Sequence, residues 1–129
     1  MPLVTIETRR WMSPEQKAQV FGAVHGALVA AFKIPDKDRH QRLIEYAAED
    51  FEIPPGKSDR YLVVGLDVIA GRSLDAKRAL YKEIVGRLGA AGVPPLDVLI
   101  CLREIPQENW GVRGGLAACD VNLGFDVRV

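Results

Sequence analysis

Three features of the chain predict an α+β fold built from two tandem βαβ units. Apolar residues alternate along PLVTIET and run almost unbroken through YLVVGLDVI and VLICLR, as they do in strands. A serine followed by apolar residues at helical spacing comes after the first strand segment and again after the third. Landmarks also recur: Ser13 returns as Ser73, while Ile34, Pro35 and Asp38 return as Val93, Pro94 and Asp97, 59 positions on. One domain, residues 1–129, is expected, with repeats at 2–47 and 61–105 and a tail at 106–129. Right-handed crossovers then give a four-stranded, mostly parallel sheet with both helices on one face, plus a short C-terminal strand.

Each element has a local cause. Proline at position 2 suits the first residue of a strand, where no ladder donor is needed. In SPEQ, Ser13 is an N-cap, Pro14 fits the first turn and Gln16 completes a capping box. Val20, Phe21, Val24, Ala27, Leu28, Ala31 and Phe32 form one apolar stripe, and Pro35 disfavours helix at Ile34. RLIEY is the second strand. The polar link AAEDFEIPPGKSDR is a turn with a short extended piece at 51–53. YLVVGLDVI, apolar on both faces, is the central strand. Ser73 caps a second helix with Ala76, Leu80, Tyr81, Ile84, Val85 and Leu88 inward, and VPPLD ends it before the strand VLICLR. The tail is glycine-rich and closes in a short alternating strand. Because YLVVGLDVI is too apolar for one face to meet water, another subunit or sheet is expected to cover the face without helices.

The totals narrow the function. Lysine plus arginine equals aspartate plus glutamate, 17 each, so no net field draws the chain to nucleic acid or to an anionic membrane. No apolar run approaches the roughly 20 residues of a membrane span, and the N-terminus alternates unlike a signal peptide. Cys101 and Cys119 are too few and too far apart for a zinc site, and Cys101 reads as a buried thiol. A cytoplasmic, reducing setting is expected. No P-loop, dinucleotide fingerprint, nucleophile elbow or metal-ligand cluster occurs, so no cofactor is implied.

Pro2, the Asp38-Arg39 turn, Arg72, the segment AVHGALVAAFKIPDKDRHQ, ENWGVRGG and the duplicated unit together resemble the tautomerase superfamily. The similarity is to its long, fused branch, which contains malonate semialdehyde decarboxylase and tautomerase-like proteins of unassigned function. The resemblance implies a homotrimer, with three sheets packed into a barrel-like core and the helices outside. It also implies a site around an N-terminal proline that acts on small carboxylate substrates. The chain departs from the decarboxylase pattern after the third strand: IAGRS supplies Arg72 alone, where that enzyme has two arginines separated by one residue.

Candidate site residues follow. Freed of Met1, Pro2 carries a secondary amine that desolvation and nearby guanidinium groups turn into a base at neutral pH. Arg72, between a buried strand and a helix start, suits bidentate carboxylate binding. Asp38 either shapes its proline turn or orients substrate and water. Arg39 is a second anion contact or a surface charge. Trp110 walls the pocket or anchors the tail, and Arg113, between glycines and valine, is a second guanidinium. His25 and His40 read as packed or surface-edge histidines. Two enzymatic readings result. One is cofactor-independent keto–enol tautomerisation of a small 2-keto acid, with Pro2 as base. The other is decarboxylation or hydration of a 3-oxo or unsaturated acid, with protonated Pro2 as acid and Asp38 handling water. A third reading is a non-catalytic binding or assembly module of ferredoxin-like topology.

Overall fold

The computed structural model describes all 129 residues. Strand β1 (Pro2–Arg9) leads to helix α1 (Pro14–Phe32) and strand β2 (Gln41–Tyr46). Strand β3 (Leu62–Ile69), helix α2 (Leu74–Ala90) and strand β4 (Val98–Ile105) repeat the pattern. The sheet order is β2-β1-β3-β4. Each βαβ unit pairs its own strands in parallel, β1 with β2 and β3 with β4. The units meet through an antiparallel β1–β3 pairing, which sets Pro2 opposite Val68 and Thr8 opposite Leu62. The sheet is therefore mixed, and β1 and β3 are its two central strands.

The helices start where the sequence places them. Ser13 and Ser73 have nearly equal backbone angles, φ −71°, ψ 165° and φ −70°, ψ 162°. Each hydroxyl accepts a backbone N–H three residues on, from Gln16 at 3.2 Å and Ala76 at 3.1 Å. The helices also end before the proline segments, as expected, and backbone caps close them. Lys33 takes a left-handed conformation (φ 58°) and donates its N–H to the Val29 carbonyl. Gly92 (φ 91°) ends α2, with Val93 N–H closing onto the Leu88 carbonyl at 3.0 Å, a Schellman-type cap.

Val4, Ile6, Leu62, Val64, Leu66 and Val68 face the helices and pack against Val24, Leu28, Phe32, Leu80, Ile84 and Leu88. The other face carries Leu3, Thr5 and Glu7 of β1, Val63, Gly65 and Asp67 of β3, and Leu99, Cys101 and Arg103 of β4. Cys101 is exposed, not buried as its apolar neighbours suggest, because β4 is an edge strand and position 101 points to the uncovered face. The tail also differs. Its only strands are a two-residue pair, β5 (Gly111–Val112) and β6 (Leu116–Ala117), and residues 121–129 run without regular structure. Asn122 and Asp126 accept the N–H of Gly124 and Arg128 with their side chains, turning the chain locally instead of extending it. The 51–53 segment likewise forms no strand: it follows a single 3₁₀ turn at Ala48–Asp50.

Candidate active site

Because β1 and β3 are antiparallel, the start of β1 lies beside the end of β3. This brings Met1-Pro2 to the Gly71-Arg72 turn, and the tail closes over the same end of the sheet. A cavity of about 620 Å³ opens there, lined by Met1, Leu3, Asp38, His40, Trp110 and Phe125, among others.

The 34–40 loop supplies the acid. Its backbone turns through Asp38 N–H to the Pro35 carbonyl, 3.0 Å, and is tied to the sheet by Val4 N–H to the His40 carbonyl, 2.8 Å. Buried His25 on α1 holds the loop's other side, with Nε2 3.3 Å from Asp36 Oδ1. Within this frame Asp38 accepts the terminal ammonium of Met1 on Oδ2, while Oδ1 lies 3.2 Å from His40 Nε2. With Met1 attached, the Pro2 nitrogen is a buried amide. Burial pushes the terminal amine below its ordinary range. Asp38 opposes this by hydrogen bond and charge, and the Arg72 charge reinforces it.

The repeat shows what makes Asp38 distinctive. Its counterpart Asp97 is buried and already spent on chain segment 58: it accepts Ser58 N–H at 3.1 Å and the Ser58 hydroxyl. In the second unit an internal segment occupies the carboxylate, whereas in the first unit the chain terminus does.

Arg72 is 5% exposed. Its guanidinium lies between two rings, 4.8 Å from the Phe32 centroid and 5.9 Å from that of Phe125. One Nη donates to the Ile69 carbonyl at 2.9 Å, but Nε and the other Nη are buried with no partner. Such orphaned donors cost about 1–3 kcal/mol each, and together they form the guanidinium edge that a carboxylate engages side-on. Burial lowers the Arg72 pKa, opposed by the charges of Asp38, Asp126 and Glu104. The side chain stays a cation at neutral pH.

Trp110 lines the cavity and is fixed by its indole N–H to the Ile105 carbonyl, 3.3 Å. Arg113 also lines it, but its guanidinium donates to the Asn122 carbonyl at 2.6 Å. Arg39 is exposed and lies outside the lining; Arg72 is buried and also lies outside it, beside the lining residue Phe125. The structure thus gathers the N-terminus, Asp38, Arg72, Trp110 and Arg113 at one end of the sheet and leaves Arg39 apart. His40, read from the sequence as a packed or surface-edge histidine, is half-exposed and also lines the cavity beside Asp38. Sequence reasoning missed Phe32 and Phe125, which read as core and tail residues and gave no sign that they would enclose an arginine. No group of three His, Cys, Asp or Glu residues is placed to hold a metal ion.

Comparisons with known proteins agree with this fold. Residues 38–113 match a family model described as "Tautomerase enzyme", and residues 2–57 match a second model of the same description. A 48-residue stretch is 33% identical to the 2-hydroxymuconate tautomerase of Comamonas testosteroni, covering 36% of this chain and 76% of that protein. Among solved structures, FG41 malonate semialdehyde decarboxylase inhibited by 3-bromopropiolate superposes with a TM-score of 0.82 at 29% identity, over 89% of this chain and 92% of that one. A fused 4-OT described as a symmetric trimer gives 0.80 at 31% identity, over 91% and 96%. The family match spans more than half of the residues, and the chain belongs to the tautomerase superfamily, in the branch that resembles the fused enzymes.

Proposed function

We propose that the chain, once Met1 is removed, is a cofactor-independent keto–enol tautomerase acting on a small 2-keto acid or its enol. The observation that carries this reading is the unpartnered Nε/Nη edge of buried Arg72 at the end of the sheet where the N-terminus lies. The substrate carboxylate takes both donors. The freed Pro2 amine accepts the enol O–H proton as the O–H electrons become the new C=O bond. The C=C electrons then take a proton at carbon from the prolyl ammonium, and the amine is restored. Asp38 and His40 hold the oxygen end of the substrate, while Trp110 and Phe125 exclude water and strengthen each charge contact.

Decarboxylation or hydration with Pro2 as acid is the second reading. It is favoured by Asp38, which takes the Met1 ammonium in the untrimmed chain and would stabilise a protonated Pro2 one residue on. Two facts weigh toward the base. At Met1, one residue before Pro2, burial outweighs Asp38 and lowers the amine's pKa, and a freed Pro2 amine would enter the same buried end of the sheet. Arg72 also has no arginine neighbour in its own turn, and Arg113 is engaged with Asn122. A homotrimer joined through the uncovered sheet face completes the proposal, supported by the trimeric fused 4-OT of similar fold.

The test begins with intact mass, which must show loss of Met1. Phenylenolpyruvate and malonate semialdehyde are then offered to the protein and to Pro2→Ala. Ketonisation of the first, lost in Pro2→Ala and reduced at least about a hundredfold in Arg72→Ala, is the expected result, the size of a lost general base or buried charge contact. Turnover of malonate semialdehyde alone selects the second reading. Ligand binding without turnover, indifferent to Pro2→Ala, leaves a binding module.

A further inference from the structure

The antiparallel joining of the two units gives the sheet a second end that corresponds to the first. Where β1 ends and β3 begins lies a cavity of about 400 Å³, lined by Arg9, Arg10, Trp11, Tyr46 and Asp59. The candidate active site uses the start of β1 and the end of β3, and this cavity uses the reverse.

Its chemistry is that of an anion site with flat walls. Arg10 is exposed and makes no ion pair. Arg9 donates Nε to the Phe51 carbonyl at 2.9 Å, and its Nη1 lies 3.7 Å from Asp59, a carboxylate that is 92% exposed. The Arg60 guanidinium sits 5.0 Å from the Trp11 ring centroid. Glu7 accepts the Tyr46 hydroxyl at 2.8 Å, and exposed Glu49 and Asp50 follow the lining residue Ala48. Among the side chains that line the cavity, Arg9 and Arg10 are the cations and Asp59, beside Arg9, is the one carboxylate. Trp11 is held by its indole N–H to Thr8 Oγ1 at 3.2 Å, and Tyr46 packs against Phe51 at 5.4 Å with the rings tilted by 34°, so the aromatic walls are fixed.

The groups that would do chemistry are absent. The nitrogen at the start of the β3 segment, Tyr61, is an amide that donates to the Ser58 carbonyl, and Asp97 is occupied by Ser58. We propose that this cavity is a second site that binds a flat aromatic or unsaturated monocarboxylate without transforming it, with Arg10 as the principal cation and Trp11 and Tyr46 as walls. The inference does not rest on the tautomerase reading, because none of its residues belongs to the candidate active site.

The test is a titration with sodium benzoate, matched with sodium chloride, following the two indole N–H signals by ¹⁵N–¹H NMR, with Trp11→Phe giving the assignment. A saturable shift of the Trp11 signal at millimolar benzoate is expected, as for an open site with one or two exposed cations. Arg10→Ala should weaken it about fivefold and Arg10→Glu should abolish it, while Arg72→Ala leaves it unchanged. Arg10 is exposed, so these variants keep the fold, which the same spectra report. A Trp11 shift linear in benzoate, one equal in Arg10→Ala and Arg10→Glu, or one lost in Arg72→Ala would overturn the proposal.

Discussion

Two aspartates at equivalent places in a repeat do different work because of what reaches them. Asp97 ties down a turn inside the chain, whereas Asp38 meets the N-terminus. On the proposed mechanism the rate needs a neutral amine, so kcat/KM is present above the amine's pKa and falls as pH drops through it. At the Met1 amine, one residue away, burial and Arg72 push the pKa down and Asp38 pulls it up, and the Pro2 amine is expected to answer to the same groups. Asp38→Asn should therefore move the acid limb of the kcat/KM profile to lower pH, and Arg72→Ala should move it higher, both read from the profile itself. If Pro2 acts as an acid, activity instead declines as pH rises. Protein that retains Met1 offers a stability counterpart. Its amine binds a proton less readily folded than unfolded, so stability should rise with pH until the ordinary α-amine range is passed, seen as a rising urea midpoint. Phe32, fully buried and stacked on Arg72, is the residue whose loss should couple fold and site. Phe32→Ala should cost about 3–5 kcal/mol by urea denaturation and weaken carboxylate inhibitors as well.

At the scale of elements, the caps carried most of what could be read in advance. Ser13 and Ser73 announce both helices because a hydroxyl that satisfies an early N–H is a local device, independent of the rest of the fold. Ser13→Ala should cost about 1 kcal/mol, and removing Gln16 with it should cost little more than removing each alone, measured by a thermal double-mutant cycle. The four strands were legible for the same reason: their apolar patterns are local. Pro2, Asp38 and Arg72 were nameable from position and resemblance, and the fold brings them to one end of the sheet. What was not legible depends on contacts distant in sequence. Nothing in LDVLICL says that position 101 lies on an uncovered edge strand. Nothing in VNLGFDVRV says that its side chains bend the backbone while Phe125 reaches an arginine 53 positions away. Arg39 adjoins Asp38 in sequence, yet the turn sends the two apart.

Across the whole molecule, the open sheet face decides how copies meet. Ile44 and Leu99, 41% and 51% exposed, lie on it among the Glu7, Arg42, Asp67 and Arg103 charges, with Arg103 Nε bonded to Asp67 at 2.5 Å. If three such faces pack together, Leu99→Asp should release monomers by sedimentation velocity without loss of helical circular dichroism. A native protein that is monomeric at micromolar concentration would refute the trimer. The cavity at the start of β1 has a further consequence, one of cooperativity. Its floor comes from Met1 and Leu3 and its walls from Trp110 and Phe125, more than a hundred positions on. The pocket therefore exists only while both segments are docked. Loosening the glycine-rich segment after β4 would dismantle the site and leave the four-stranded sheet standing.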